Sequence, residues 1–574
     1  MNDIRRTILW VIFGFSLVLL WDQWQVHNGH RATFFPSTPK QTAASAPGAA
    51  PNVAPPVAGV PSAVPAPVGA DALPPGTAGA QVPIGASVAA REGTAAALEQ
   101  VTVTTDVYRL KFDSEGGSLV QADLLKFGDG GDKARALTLL DRSPNRIYLA
   151  QTGLIAANGG AALPTHKTPM TLMPGPRALE PGADSLTVRF ESEAVGGVKL
   201  IKSWTMRRGS YAIDARSEVI NVGNEPVSPQ LYLQLVRDGN KPPGESSFYS
   251  TFTGPAVYTD ASKYHKLSFK EIEENKAEFD KQSTSGYVAM VQHYFASAWI
   301  LPAGVTRSLF ARKVDTNLYA VGMIDSLGTI APGESKTVDA TLYTGPQLEK
   351  RLEALEPGLE LVKDYGWLTI LAKPLYWLLD KLHGFLGNWG WSIVALVVLL
   401  KAAFYWLNAK AYASMAKMKA INPKITEMRE RLKDKPQQMQ QEMMRIYREE
   451  KVNPMGGCLP IMVQMPVFIA LYWVLSSTVE MRDAPWIGWI HDLSTPDPYY
   501  ILPVVMTATS MLQTWLNPKP PDPMQAKLMW YMPLVFGIMF FFFPSGLVLY
   551  WITNNILSIT QQWVINKRLG VLGK

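Results

Sequence analysis

The sequence predicts a polytopic α-helical membrane protein, with about six transmembrane helices, that carries a large antiparallel β-sandwich on the outer side. Three observations lead there. First, apolar residues make up 47% of the 574 positions and charged residues 18%, yet mean hydropathy is only +0.02, so the apolar content is concentrated in parts of the chain. It lies in one N-terminal run and beyond residue 365. Second, residues 100–350 alternate apolar and polar positions at period two, the signature of half-buried strands. Third, Lys and Arg gather in the short loops that a six-span topology puts on the cytoplasmic side.

At the N-terminus, Arg5 and Arg6 precede the apolar run Thr7 to Trp21. Basic residues followed by ~7–15 apolar ones fit a secretory signal. Trp21-Asp22-Gln23-Trp24 stand where cleavage needs small residues, and Ala44-Ser45-Ala46 comes too late. Residues 1–24 therefore read as an uncleaved signal anchor with its start in the cytoplasm. Residues 25–99 are rich in Ala, Pro, Gly and Val, which offer little to pack, and read as a tether.

Within 100–350, runs such as Leu186-Thr187-Val188-Arg189-Phe190 and Leu231-Tyr232-Leu233-Gln234-Leu235 are separated by turn residues such as Asn221-Val222-Gly223-Asn224. Antiparallel strands in two packed sheets are expected. The single cysteine, Cys458, excludes an intramolecular disulfide and a four-cysteine metal site, so this domain must be held by its own core. Residues 360–387 place Leu368, Leu371, Leu375, Leu378, Leu379 and Leu382 at helical spacing, with Lys373, Asp380 and Lys381 between them. That is an amphipathic helix at the membrane surface, or else a soluble helix packed on the sandwich.

Five more spans are expected near 389–408, 458–479, 500–516, 528–543 and 547–564, judged against the ~20 apolar residues a bilayer needs. Pro544-Ser545-Gly546 leaves room only for a tight turn between the last two. Between the first two spans lie eleven Lys and Arg, from Lys410 to Lys451, against six acidic residues. The 480–499 loop has only Arg482, and the tail 567–574 contains Lys567, Arg568 and Lys574. Both termini are thus expected in the cytoplasm.

The most informative single residue is Lys401, inside Val397-Val398-Leu399-Leu400-Lys401-Ala402-Ala403. A cation there costs roughly 2.5–3.5 kcal/mol on insertion scales. Either it snorkels towards the headgroups or it faces a hydrated cavity between helices. Asn408, seven residues on, would be about 10 Å away along a straight helix. Gln464, Thr509, and the pair Asn554 and Ser558 on one helix face could line the same cavity. Each taken singly is equally compatible with ordinary helix–helix hydrogen bonding. In the 409–452 loop, Met415, Met418 and Met428, then Met439 and Met443, recur at heptad-like spacing around Asp434-Lys435-Pro436. Two short helices turned back on each other are expected, their methionines forming either the hairpin seam or an adaptable surface for partners.

Reacting groups do not assemble. The histidines are scattered without metal-ligand spacing, and neither a P-loop nor a Gly-x-Ser-x-Gly elbow occurs. No cofactor, metal or catalytic residue is expected, and a net charge of +6 over this length does not argue for DNA. A small-anion transporter using Lys401 would need internal repeats and broken helices. An enzyme built on the sandwich would need an acid–base cluster that fold alone does not supply.

Several segments resemble the YidC membrane insertases of Gram-negative bacteria, part of the YidC/Oxa/Alb family. They are Ser414-Met415-Ala416-Lys417-Met418, Asn453-Pro454-Met455-Gly456-Gly457-Cys458, Gln464-Met465-Pro466, Asp497-Pro498-Tyr499-Tyr500 and Phe543-Pro544-Ser545-Gly546-Leu547-Val548-Leu549-Tyr550. The resemblance implies a five-helix insertase core at 388–566, a periplasmic sandwich and an inner-membrane location. It implies function without covalent chemistry or nucleotide hydrolysis, as insertase and chaperone for nascent membrane proteins, alone or beside the Sec translocon. Lys401 would be the central cation of a hydrophilic groove. Met465, Pro466 and Trp551 would form an apolar slide to the lipid, and the hairpin would receive the ribosome or targeting factors. Relatives often carry arginine at the Lys401 position and tyrosine at the Trp551 position.

Overall fold

The computed structural model describes residues 99–129, 132–157, 162–242, 251–432, 435–450, 459–517 and 523–568. The expected signal anchor at 1–24, nearly all of the tether, Cys458 and most of the tail lie outside these residues. By internal contacts the chain divides into two units. One comprises 1–71 with 522–528, of which only 523–528 are described, and the other holds the remainder. All contacts below lie within the second.

The alternating region folds into strands as expected. In Ser185–Ser192, Leu186, Val188 and Phe190 are buried while the residues between them are exposed. Period-two alternation puts one set on the core face. Among the described residues there are two nine-stranded sheets, and every paired strand is antiparallel to its neighbour. They meet through large aromatics: Phe112 of one sheet lies 5.5 Å from Trp204 of the other, which in turn lies 6.0 Å from Trp299 of its own sheet. Trp299 donates its indole N–H to Gln234 O at 3.1 Å, so the polar atom of a buried ring is satisfied across the sandwich.

The central strand Pro229–Asp238 departs from simple alternation, being buried at every position. It runs between Arg146–Ala156 and Leu318–Ser326. Leu231, Leu233 and Leu235 enter the main core, and Tyr232 packs with Ile155, Phe310 and Ile324 on the opposite face. His166 closes over that face: Tyr232 Oη shares a hydrogen bond with His166 Nδ1 at 2.6 Å and accepts from the His166 backbone N–H at 3.0 Å. Nearby, the buried Lys202 ammonium donates to Gly116 O at 2.6 Å and Thr152 O at 2.7 Å. Burial, with the Lys202 charge, pushes the His166 imidazole down to about 3. An unfolded histidine titrates near ~6.5, so unfolding takes up a proton below that pH. Stability is therefore lost as pH falls from about 6.5 towards 3, at up to ~1.4 kcal/mol per pH unit from this one group. His166→Asn is expected to lower the thermal midpoint at pH 8 but to flatten its decline between pH 7 and pH 5, measured on the full chain in detergent. An unchanged decline would refute the assignment.

After the sandwich come eight helices used below: α1 (Thr369–Leu386), α2 (Trp389–Ala403), α3 (Tyr405–Arg431), α4 (Pro436–Glu449), α5 (Leu459–Ser477), α6 (Ile501–Leu516), α7 (Pro523–Phe540) and α8 (Ser545–Arg568). In α1, Ala372, Tyr376 and Leu379 pack on the helical core, while Ile370, Trp377 and Phe385 are exposed. Two of its charges pair with residues that precede the helix, Lys373 with Glu360 at 3.4 Å and Asp380 with Lys350 at 2.6 Å.

Two sequence expectations change here. The stretch 389–408 is not one straight helix: α2 ends at Ala403 and α3 begins at Tyr405, with a 68° bend between them. Among the described residues no single helix is long and apolar enough to cross a membrane, and only this bent pair meets the test together. The 16 residues of α6 extend about 24 Å against a hydrocarbon core of ~30 Å. The 24-residue α8 is long enough, but amides and hydroxyls from Thr553 to Gln562 interrupt its apolar surface. The hairpin is two helices meeting near Pro436 as expected, but the first is not short: α3 runs 27 residues through Pro423.

Two of the quoted motifs are architectural. Buried Asp497 accepts from the backbone N–H of Leu502 at 2.7 Å and of Tyr499 at 3.0 Å, and from the Trp489 indole at 2.9 Å. The bond to Leu502 satisfies an otherwise orphaned donor at the start of α6. Ser545 N–H and Oγ both donate to Thr495 O, at 2.7 and 2.8 Å, and Gly546 N–H donates to Leu493 O at 2.9 Å. The Pro-Ser-Gly turn is thus clamped to the 480–499 loop. A Cβ on Gly546 would come within 3.2 Å of Leu493 O, which is why a residue without one sits there.

Candidate functional site

Lys401 lies near the C-terminal end of α2 and reaches α8, where its ammonium donates to Ser558 Oγ at 2.7 Å. Ser558 Oγ donates back to Asn554 O, one turn earlier, at 2.7 Å. Gln464 of α5 donates to Asn554 Oδ1 at 2.8 Å. Four predicted residues from three helices thus meet around one cavity of about 240 Å³. Among its lining residues Lys401 carries the one full charge, and no carboxylate is present.

Thr509 is not on the wall. Its hydroxyl donates to Met506 O at 2.9 Å and accepts from Asn555 Nδ2 at 3.2 Å, so it holds Asn555 from behind. Ser510 accepts from the same amide at 2.8 Å. The wall also includes Asn408, Tyr412, Gln513, Asn517 and Asn555. Helical spacing would have exposed Asn555, since Asn555, Ser558 and Gln562 follow a 3-4 pattern on α8, all buried. Asn408 could not be placed from sequence. A straight helix carries it away from Lys401, whereas the bend at Phe404 swings Asn408, Ala411, Tyr412 and Met415 over the cavity as one stripe of α3.

An apolar wall adjoins the polar one. Met465, 46% exposed, lines the cavity with Phe468, Tyr550 and Trp551. The Trp551 ring stands edge-on to Phe468 at 4.8 Å and lies 5.3 Å from Phe540. Pro466, inside α5, does not line the cavity.

The five methionines singled out in the hairpin sequence fall into two groups. Met428 is buried with Ile421, Ile425 and Tyr447, and Met418, Met439 and Met443 pack against that cluster, so these four side chains form the α3–α4 seam. Met415 instead lines the Lys401 cavity. The reassignment follows from the long α3, whose first turns belong to the cavity and only the later ones to the hairpin.

Two family models cover nearly all of the described chain: "YidC periplasmic domain" over residues 100–378 and "60Kd inner membrane protein" over 381–571. A protein of Cupriavidus taiwanensis named membrane protein insertase YidC is 56% identical over 99% of this chain and 98% of its own length. Counterparts with the same name in Cupriavidus necator and Ralstonia nicotianae are 56% and 54% identical, again over 99% of this chain and 98% of theirs. With both the sandwich and the helical region matched, the chain belongs to the YidC family of membrane protein insertases.

Proposed function

We propose that this chain inserts and helps fold proteins of the bacterial inner membrane, with the Lys401 cavity as the hydrophilic groove that first admits the substrate. The observation that carries this reading is an ammonium with no carboxylate partner in the wall, set between polar side chains and an apolar surface at Met465 and Trp551. The work is physical: a substrate's polar, preferably acidic, segment gains a counter-charge below the membrane surface, while its apolar segment passes to lipid. Burial of apolar area, at roughly 25 cal/mol per Å², drives the second step without nucleotide.

The topology we assign has six spans, the five C-terminal ones preceded by the anchor at 1–24, with both termini cytoplasmic and 100–350 periplasmic. Helices shorter than the bilayer suit a site that thins the apolar barrier. The exposed apolar side chains of α1 rest on lipid headgroups. The basic hairpin is the landing surface for the ribosome or targeting factors, and the Sec translocon is a partner for larger substrates.

Purified full-length protein in protein-free liposomes is expected to raise protease-protected insertion of a small single-span substrate several-fold above empty liposomes. Equal insertion in both, with the protein shown folded, would reject autonomous activity. A Trp551→Ala variant is expected to slow release to lipid more than initial capture, read as longer-lived crosslinks from a probe at Met465.

A further inference from the structure

The cavity wall holds more hydrogen-bonding groups than an acidic guest alone requires. Six carboxamides line it, from Asn408, Gln464, Gln513, Asn517, Asn554 and Asn555, against one cation. One cation suffices to attract an acidic segment, so charge recognition leaves the amides unexplained. A carboxamide offers what a peptide bond offers, one carbonyl acceptor and N–H donors. In a low-dielectric wall such groups are costly unless paired.

Part of this capacity is used internally, in the Gln464–Asn554 bond, in the bonds from Asn555 to Thr509 and Ser510, and in the bond that Asn517 Oδ1 accepts from Gln562 at 3.1 Å. Asn408 and Gln513 make no side-chain hydrogen bond among the described residues, although Asn408 is 6% exposed and both line the cavity. An α-helical guest satisfies its own backbone and has no use for them. An extended guest brings unpaired N–H and C=O groups below the membrane surface, where each must find a partner.

Resting on the groove reading above, we infer that the cavity receives its substrate segment as extended chain and hydrogen-bonds its backbone through these carboxamides, with Asn408 and Gln513 as the principal contacts. Selection is then for a segment able to stay unfolded, independent of side-chain identity, while Lys401 adds the preference for acidic residues. Helix formation follows only when the chain leaves the amides for lipid.

The test uses the full-length protein in liposomes and a semisynthetic single-span substrate. Two peptide N–H groups of its short translocated segment are replaced by ester oxygens, which removes donors while leaving side chains unchanged. With wild type, the ester substrate is expected to insert about three- to tenfold more slowly than the native one, in keeping with one or two lost hydrogen bonds. The Asn408→Leu/Gln513→Leu variant is expected to insert the native substrate about as slowly, with little further loss for the ester. Asn408→Gln/Gln513→Asn, which keeps both amides, is expected to recover a large part of the rate lost in the double leucine variant, and equal loss in the two would point to disturbed packing as the cause and overturn the inference. Equal rates for both substrates in wild type, or the same ester penalty in the double variant, would overturn the inference. A photocrosslinker at Gln464 separates the two readings. Crosslinking without an ester effect removes backbone recognition alone, and loss of crosslinking removes the groove as well.

Discussion

Lys401→Glu is expected to cut insertion of a substrate with an acidic translocated segment by at least about tenfold, while Lys401→Arg keeps most of the activity. Two unit charges ~4 Å apart interact by about 4 kcal/mol at an effective dielectric near 20. Hydration and a mobile guest reduce that, but reversing the sign counts the interaction twice, and ~1.4 kcal/mol already amounts to tenfold. Arginine preserves the charge and can still donate to Ser558 Oγ, the acceptor 2.7 Å from the present ammonium. The companion measurement is the same assay with the acidic residues of the substrate neutralised. The gap between wild type and the Lys401→Glu variant is then expected to shrink severalfold. A gap of unchanged size would mean that Lys401 holds α2 to α8 and does not meet the guest.

The second large effect concerns the joint between sandwich and helices. Lys363 is fully buried, its ammonium 3.8 Å from Glu480 Oε2 and 4.0 Å from Glu349 Oε2, and 3.8 Å over the Tyr376 ring. Tyr376 donates to Glu480 at 2.7 Å and Tyr365 to Glu349 at 2.5 Å, so one cation compensates two carboxylates from different parts of the fold. Burial pushes the Lys363 pKa down, and the two carboxylates pull it back up. Arg482 donating to Gly128 O and His293 donating to Ser476 O, at 2.8 Å, fasten the same joint.

Removing one partner of a buried ion pair costs roughly 3–5 kcal/mol because the other is left uncompensated. Both carboxylates keep some solvent contact, so Lys363→Met is expected at the lower end of that range. The readouts are a thermal midpoint lowered by several degrees and faster proteolysis between 355 and 369. Lys363→Met combined with Glu480→Gln is expected to recover part of the loss, since the two sites share one network. A midpoint within one degree of wild type would show that the joint does not depend on this charge.

How much of this was legible beforehand follows from how far each signal reaches along the chain. The sandwich was readable because alternation is local: Leu186, Val188 and Phe190 announce their face without reference to any other strand. Its strand order was not, because Pro229–Asp238 pairs with Leu318–Ser326 far along the chain, and its second buried face depends on the His166 segment folding over Tyr232. Lys401 stood out because an ammonium inside an apolar run is expensive wherever the run goes. Gln464, Asn554 and Ser558 were suspected on polarity and helical period alone.

The rest was decided by tertiary structure. A bend of 68° at Phe404 leaves no mark in the hydrophobic period on either side, yet it turns Asn408 from the far end of a span, and Met415 from a residue beyond it, into the cavity wall. It also takes Met415 out of the hairpin, where Met418, Met428, Met439 and Met443 are consumed by the seam with Ile425 and Tyr447. Thr509, as polar as its neighbours, was left behind Asn555 by the rotation of α6 against α8, a quantity set by packing and not by composition. Local chemistry therefore determined which groups are costly to bury, and packing determined which of them share a site.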